Sequence, residues 1–340
     1  MEKKILDSLR GQSAHPVPIW LMRQAGRYLP EYRQLRQKAG GFMDLCLTPD
    51  LATEVTLQPV RRFGLDAAIL FSDILMVPHG LGGRVEFHEG QGPLLQPLGE
   101  LPPVFNPQRF AERTAPIMQT VRQVKEQLDP GVALIGFAGA PWTVACYMLQ
   151  GKGGDEFRQA RSQAYANPAR LASLLDVLVE ATTNYLIAQI EAGADIVQIF
   201  DSWAGLVPPE NFDAWVIQPT RRIADMLRVR FPNVPVIGFP RGAGLMIESY
   251  ADQTGVTALG LDSSVPLAFA RDKLQTRLPV QGNLDPMALL AGGAALREGV
   301  QRILEHLGSG PMVFNLGHGV IKETPPEHVA ELVDLVRAHG

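Results

Sequence analysis

Pro168–Ser202 reads PARLASLLDVLVEATTNYLIAQIEAGADIVQIFDS, and two hydrophobic rhythms meet inside it. From Pro168 to Ala192 the pattern is that of a long helix with a buried stripe. Pro168 suits its first turn, where the missing N–H would have no partner anyway. After Gly193 the pattern changes: Asp195–Phe200 is a short run, mostly apolar on both faces, as a strand inside a parallel sheet requires. A polar pair, Asp201 and Ser202, follows at once. The same alternation extends in both directions. Strands are expected at Val17–Met22, Ala67–Phe71, Val132–Phe137, Asp195–Phe200, Val234–Phe239, Val256–Leu261, Pro279–Gln281 and Met312–Asn315. Helical patterns lie between them at Pro107–Leu128, Pro168–Ala192, Pro209–Arg230, Val265–Leu274, Gly292–Leu307 and Pro326–His339. Eight such alternations predict an α/β fold, a single-domain (β/α)8 TIM barrel spanning residues 1–340. A doubly wound open sheet is the competitor, but it usually has fewer strands and a Gly-rich dinucleotide turn, and no GxGxxG occurs. The stretch GGRVEFHEGQGPLLQPLGE breaks the rhythm, so a β-hairpin insertion is expected at about 80–101, after the second strand.

Composition excludes several classes. A chain of 340 residues with net charge −4 has no basic excess to draw it to nucleic acid or an acidic membrane. Cys46 and Cys146 are the two cysteines, and neither sits in a CxxC or HxC spacing, which speaks against a disulfide framework or structural zinc and for a reducing cytoplasm. Apolar residues nowhere run uninterrupted for 18 positions, so the expectation is a protein neither secreted nor membrane-spanning.

In a barrel of this kind the chemistry lies at the C-terminal ends of the strands. Those ends carry Arg23 and Arg27, then Ser72 and Asp73, Gly139 with Tyr147 beyond it, Asp201 and Ser202, Arg241, Asp262, Asn283 with Asp285, and His318. Arg23 and Arg27 are four apart, which on a helical turn would set them roughly 6 Å apart on one face. Two planar guanidinium forks there suit a ligand with several carboxylates. Each candidate also has a plain structural reading. For the arginines it is a solvated basic face, although Gly26, Tyr28 and Pro30 shape a turn rather than prolong a helix. Asp73 is a competent cap for the turn that follows it, His318 between two glycines a competent turn residue, and Tyr147 a competent core residue. Placed in an apolar pocket beside arginines, however, Asp73 becomes a candidate to bind N–H donors or stabilise a developing cation.

PIWLMRQAGRYLPEYR (18–33) and GFAGAPWTVACYMLQG (136–151), with ILFSDIL, VQIFDSWAG, GFPRGAG, QGNLDP and FNLGHGV in the same order, resemble the uroporphyrinogen decarboxylase family over essentially the whole chain. The resemblance implies a cytoplasmic homodimer that uses no metal or organic cofactor. It would convert the four acetates of uroporphyrinogen III to methyl groups, giving coproporphyrinogen III and CO2. It also implies that Asp73 and Arg23 are catalytic. Arg23, Gln24, Ala25, Gly26 and Arg27 would bind the substrate's carboxylate end, Asp73 would face the pyrrole N–H groups, and Tyr147, Ser202 and His318 would complete the polar contacts. Met22, Ile69, Phe71, Phe137 and Phe200 would form apolar walls. Two other readings stay open: a corrinoid-dependent methyltransferase with the same barrel, which needs a zinc-bound thiol, and a non-catalytic porphyrin carrier.

Overall fold

The computed structural model describes residues 3–88, 92–96 and 102–339. Seven strands form one parallel sheet in the order β1-β4-β5-β6-β7-β8-β9. They are β1 (Ala67–Ile69), β4 (Ala133–Gly139), β5 (Ile196–Asp201), β6 (Val236–Pro240), β7 (Ala258–Gly260), β8 (Val280–Leu284) and β9 (Met312–Leu316). β4, β6, β8 and β9 are buried along their whole length, so apolar runs without alternation were the right signal for a sheet covered on both faces. The helix Pro168–Ala192 has the bounds its periodicity predicts, and it packs against the helices Pro107–Gln127 and Gln218–Arg230 and against β4. It is long and apolar enough to cross a membrane by composition, but its contacts make it a core helix.

The sheet is curled. Trp20 Nε1 donates to Gln281 Oε1 at 2.9 Å, and Gln281 Nε2 donates to Gln198 Oε1 at 3.1 Å. Gln281 on β8 and Gln198 on β5 are fully buried and belong to strands that are not neighbours in the sheet. They meet across the concave interior, and their hydrogen bonds offset part of the cost of burying two amides there, the Gln198 Nε2 having no partner among the described residues. The fold is thus a TIM-barrel-like half-barrel of α/β type.

Two expectations need correction. Val17–Met22 does not form a full strand: it makes a single parallel bridge, Ile19 opposite Phe314 of β9. Side chains replace the ladder. Asp66 accepts the Ile19 N–H at 2.8 Å while its own N–H goes to Ile19 O, Gln24 Oε1 takes the Leu21 N–H at 3.0 Å, and Asn315 Oδ1 takes the Met22 N–H at 2.9 Å. The segment therefore sits between the two edge strands, with the Ile19, Leu21 and Met22 donors satisfied by side chains, a means that period-2 reasoning does not see. The strand expected at Ala67–Phe71 is also shorter, because the Phe71 N–H is taken by the Thr56 hydroxyl at 3.0 Å.

Within the expected insertion, β2 (Val85–His88) pairs antiparallel with β3 (Gly92–Leu95), Val85 opposite Leu95. Residues 89–91 and 97–101 of that stretch lie outside the described residues. β3 meets the chain after the helix Pro141–Gln150, the Leu95 N–H donating to Gly151 O at 2.7 Å.

At the opposite end of the strands Asp195 ties three elements together. It accepts from Lys3 Nζ and Lys125 Nζ, both at 2.6 Å, and from the Leu134 N–H at 2.8 Å.

Candidate active site

Several polar residues at strand ends turn out to hold the scaffold. Asp285 caps the helix Pro286–Ala291 through the Met287 N–H at 2.8 Å, and Asn283 donates to the carbonyls of Asp262 and Val265. Asp262 in turn accepts from the Gly242 N–H at 2.6 Å and the Ser264 N–H at 2.8 Å. Such bonds fix loops and leave little for a ligand.

Arg23 is different. The helical turn expected between Arg23 and Arg27 is absent; residues 22–28 are turns and bends, and the helix starts at Pro30. Arg23 has φ 60°, a left-handed conformation that costs a non-glycine residue on the order of 1 kcal/mol and is kept where its surroundings over-determine it. Its side chain lies along Gly319, where a Cβ would collide with the Arg23 Cβ, Cγ and Cδ atoms. Glycine after His318 is thus needed for Arg23 to reach its place. The residue stays in contact with solvent, yet loss of hydration is the strongest influence and lowers its pKa; Asp73 and Tyr147 nearby oppose this, while Arg241 and Arg27 add to it. Solvent contact together with protein on most sides describes a cleft open on one side.

Asp73, four residues beyond β1, lies within electrostatic reach of Arg23. Burial raises its carboxyl above the ordinary range, held back by the Leu75 N–H at 2.8 Å and by Arg23. Capping and charge placement, offered above as rivals, are both present. Tyr147 is buried on the helix Pro141–Gln150, which Pro141 opens. Burial raises its phenol, Asp73 raises it further, and Trp203 and Arg23 pull it down. The ring packs edge-on against Phe157 at 4.9 Å. His318 is half-buried, and its pKa is pushed down to about 4 by burial and by Arg23 and Arg241, with Asp262 opposing. It is therefore neutral at neutral pH, a donor or acceptor rather than a third cation.

Of the residues expected as apolar walls, Met22, Ile69, Phe71 and Phe137 are nearly buried and Phe200 is half-buried, meeting Phe137 edge-to-face at 5.5 Å. Gln24 is fully buried with its side chain bonded to Leu21 N and to Ala67 O, its N–H given to Leu21 O at 3.0 Å and its carbonyl accepting the Tyr28 hydroxyl at 2.7 Å, so it braces the loop and leaves no polar group for a ligand. Ala25 and Gly26 are half-buried in the loop between the two arginines, and Arg27 is exposed with its carbonyl held by Arg33. Ser202 is half-buried at the end of β5.

Below Ser202 lies a feature the sequence reading named and did not develop. Asp201 is buried, its Oδ1 accepts the Thr143 hydroxyl at 2.5 Å, and its Oδ2 has no partner among the described residues. Thr143 also accepts the Trp203 N–H at 3.0 Å, and it stands one helical turn before Tyr147. Burial raises the Asp201 pKa to about 7. Strand-end position was the available signal; that its partner is a threonine of the helix after β4 was not legible.

A curled parallel sheet that gathers Asp73, Tyr147, Arg241 and His318 within electrostatic reach of Arg23 at its strand ends defines a barrel-type α/β protein with a charged strand-end face. Comparison with known proteins narrows this further. The family model described as uroporphyrinogen decarboxylase (URO-D) matches residues 1–339. The chain is 54% identical over 339 residues to a uroporphyrinogen decarboxylase of Rhodospirillum rubrum, covering 99% of this chain and 97% of that one. It is 55% identical over 340 residues to one of Acidiphilium cryptum, covering 99% and 94%. The chain belongs to the uroporphyrinogen decarboxylase family. Among solved structures, a methyltransferase from Methanosarcina mazei superposes with TM-score 0.83 at 21% identity over 98% of this chain and 97% of that one. A B12-independent methionine synthase from Shewanella sp. W3-18-1 gives 0.52 at 12%, over 96% and 94%. At these identities the likeness speaks for the fold alone.

Proposed function

We propose that this protein decarboxylates the acetate side chains of uroporphyrinogen, giving coproporphyrinogen III and CO2 from the III isomer without a cofactor. The observation that carries the reading is the Arg23–Asp73 pair in an open cleft of a chain that belongs to this family. An acetate on a pyrrole has no carbonyl β to it, so CO2 leaves only once the ring has become an electron sink. Protonation of the pyrrole α-carbon next to the carbon that bears the acetate creates that sink. The C–C bond then breaks, its electron pair forms an exocyclic C=C bond that neutralises the cationic ring, CO2 departs, a proton delivered to the methylene carbon completes the methyl group, and loss of the proton first added to the ring restores the pyrrole. Asp73 as carboxylate faces the pyrrole N–H groups and stabilises the ring cation, more strongly in a partly desolvated cleft than in water. Arg23 orients the departing carboxylate. Guanidinium is a very weak acid, so the proton comes from a bound water or a substrate carboxyl rather than from Arg23. Tyr147, Ser202, His318, the Arg27 guanidinium and the backbone of Ala25 and Gly26 make the remaining polar contacts, with Gln24 bracing the loop beneath them, and Met22, Ile69, Phe71, Phe137 and Phe200 the apolar walls.

The same reading includes a single domain over residues 1–340, an eighth barrel position filled by the Pro18–Met22 segment, and the antiparallel pair as an insertion on the connection after β1. It includes a cytoplasmic homodimer with no nucleic-acid or membrane partner. The methyltransferase alternative lacks a ligand set: among the described residues no three His, Cys, Asp or Glu side chains gather in a metal-binding group. The carrier alternative is separated by turnover. Purified protein incubated anaerobically with uroporphyrinogen III should yield seven-, six-, five- and four-carboxyl products in sequence, and Asp73→Asn should slow this by about a hundredfold or more. Binding without turnover would leave a carrier, and near-normal rates in Asp73→Asn would remove Asp73 from the mechanism.

A further inference from the structure

Arg241 follows β6, the middle strand of the seven, whereas Arg23 follows the segment that sits between the two edge strands β9 and β1. The two residues thus approach the cleft from opposite walls. Backbone hydrogen bonds clamp Arg241 on both sides: its N–H donates to Asp201 O at 3.0 Å and its carbonyl accepts the Gly205 N–H at 3.0 Å. The next residue, Gly242, has φ 73° and donates to Asp262, and a Cβ on Gly205 would run into the Gly242 carbonyl. The loop is rigid, and its side chain is half-buried. Among the described residues neither the Arg23 nor the Arg241 guanidinium has a hydrogen bond or ion pair, although a half-buried arginine such as Arg241 ordinarily finds one. Asp262, which takes the N–H of the residue after Arg241, has both oxygens engaged by Gly242 and Ser264.

The two cations lie within electrostatic reach and repel, and each lowers the His318 pKa. An anion bound there would relieve the repulsion and give both forks their partners. We propose that Arg23 and Arg241 form a carboxylate subsite spanning the cleft: the Arg23 fork, with five N–H donors, reaches both the departing carboxylate and a second side-chain carboxylate of the substrate, and Arg241 holds that second one. The proposal rests on the decarboxylase reading. It assigns to Arg241 the task of fixing the macrocycle's orientation, while Asp73 and Arg23 serve the reacting side.

The test separates the subsite from the reading. Binding of uroporphyrin III, the oxidised and unreactive octacarboxylate, is followed by its fluorescence for the unaltered protein, Arg241→Gln, Arg241→Lys and Arg241→Glu, and turnover of uroporphyrinogen III is measured in parallel. Arg241→Gln should weaken binding about tenfold and raise KM by a similar factor with a smaller effect on kcat. Arg241→Lys should recover part of the affinity, since charge returns without the fork, and Arg241→Glu, which would pair with Arg23, should weaken binding most. Equal affinities across the series, with normal turnover by the unaltered protein, would overturn the subsite and leave the reading intact. No turnover by the unaltered protein would remove the reading, and the binding series would still decide whether the two arginines share an anion.

Discussion

Asp201 has the most lopsided environment of the site's carboxyl groups: one oxygen on Thr143, one oxygen without a partner among the described residues, and burial that lifts its pKa to about 7 from an ordinary 3.8. A folded-state pKa above the unfolded one means that the folded protein prefers the protonated form. The corresponding stability is complete below the unfolded pKa near 4 and is lost as pH rises through about 7. Asp201→Asn keeps an acceptor for Thr143 and removes the ionisation. Compared with this variant, the unaltered protein should lose about 2 kcal/mol between pH 5 and pH 8, read as a relative shift of urea midpoints at the two pH values. A constant difference would mean that Asp201 stays ionised throughout and that a buried water satisfies its second oxygen. Tyr147 provides the functional side of the same measurement, because the Asp201–Thr143 bond holds the helix that carries it.

At the scale of elements, the strands and long helices were legible wherever hydrogen bonds run from backbone to backbone. Val132–Phe137 against Ala133–Gly139, and Pro168–Ala192 unchanged, are examples. The reading failed where side chains took over. Pro18–Met22 is held by Asp66, Gln24 and Asn315, and the Arg23–Arg27 loop is no helix because Arg23 adopts a positive φ over Gly319. A single sequence carries no signal for a pairing between residues hundreds of positions apart. The candidate site was legible as a list of strand ends, whereas which members bind ligand and which brace loops was not: Asn283 and Asp285 look like Asp73 until their partners are known. Asp195, at the N-terminal end of β5, belongs to the bracing set. Burial would raise its pKa, but the bonds from Lys125, Lys3 and Leu134 outweigh it and hold the carboxyl below its ordinary value. A depressed folded pKa gives stability that is present above about pH 4 and lost as pH falls through the folded value. Asp195→Asn should therefore cost about 2 kcal/mol at pH 7, the two lysines being partly exposed, with the deficit shrinking below pH 4 and turnover per folded molecule unchanged. Denaturation at pH 7 and pH 3.5 checks this, and an equal deficit at both would point to lost packing rather than lost charge.

For the whole molecule, the informative contrast is between a net charge of −4 and a cleft whose unpaired charges include Arg23, Arg27 and Arg241. The far field repels an octacarboxylate, while the near field at the cleft attracts it. Salt acts on the two differently. Between 0.02 and 0.3 M the screening length falls from roughly 20 Å to roughly 6 Å, so long-range repulsion disappears first and the short-range attraction weakens later. Each decarboxylation removes one negative charge, so the eight-carboxyl substrate feels the cleft's charge more than the five-carboxyl intermediate does. Added salt should then lower kcat/KM for the eight-carboxyl substrate by about fivefold over this range, lower it less for the five-carboxyl intermediate, and act mainly through KM. Initial rates for both compounds at five salt concentrations test the expectation. Equal slopes would mean that the arginines contact the same number of carboxylates at every stage, with the macrocycle turning to keep them filled. A flat response for both would mean that neutral contacts from Tyr147, Ser202 and His318, rather than guanidinium, govern entry to the cleft.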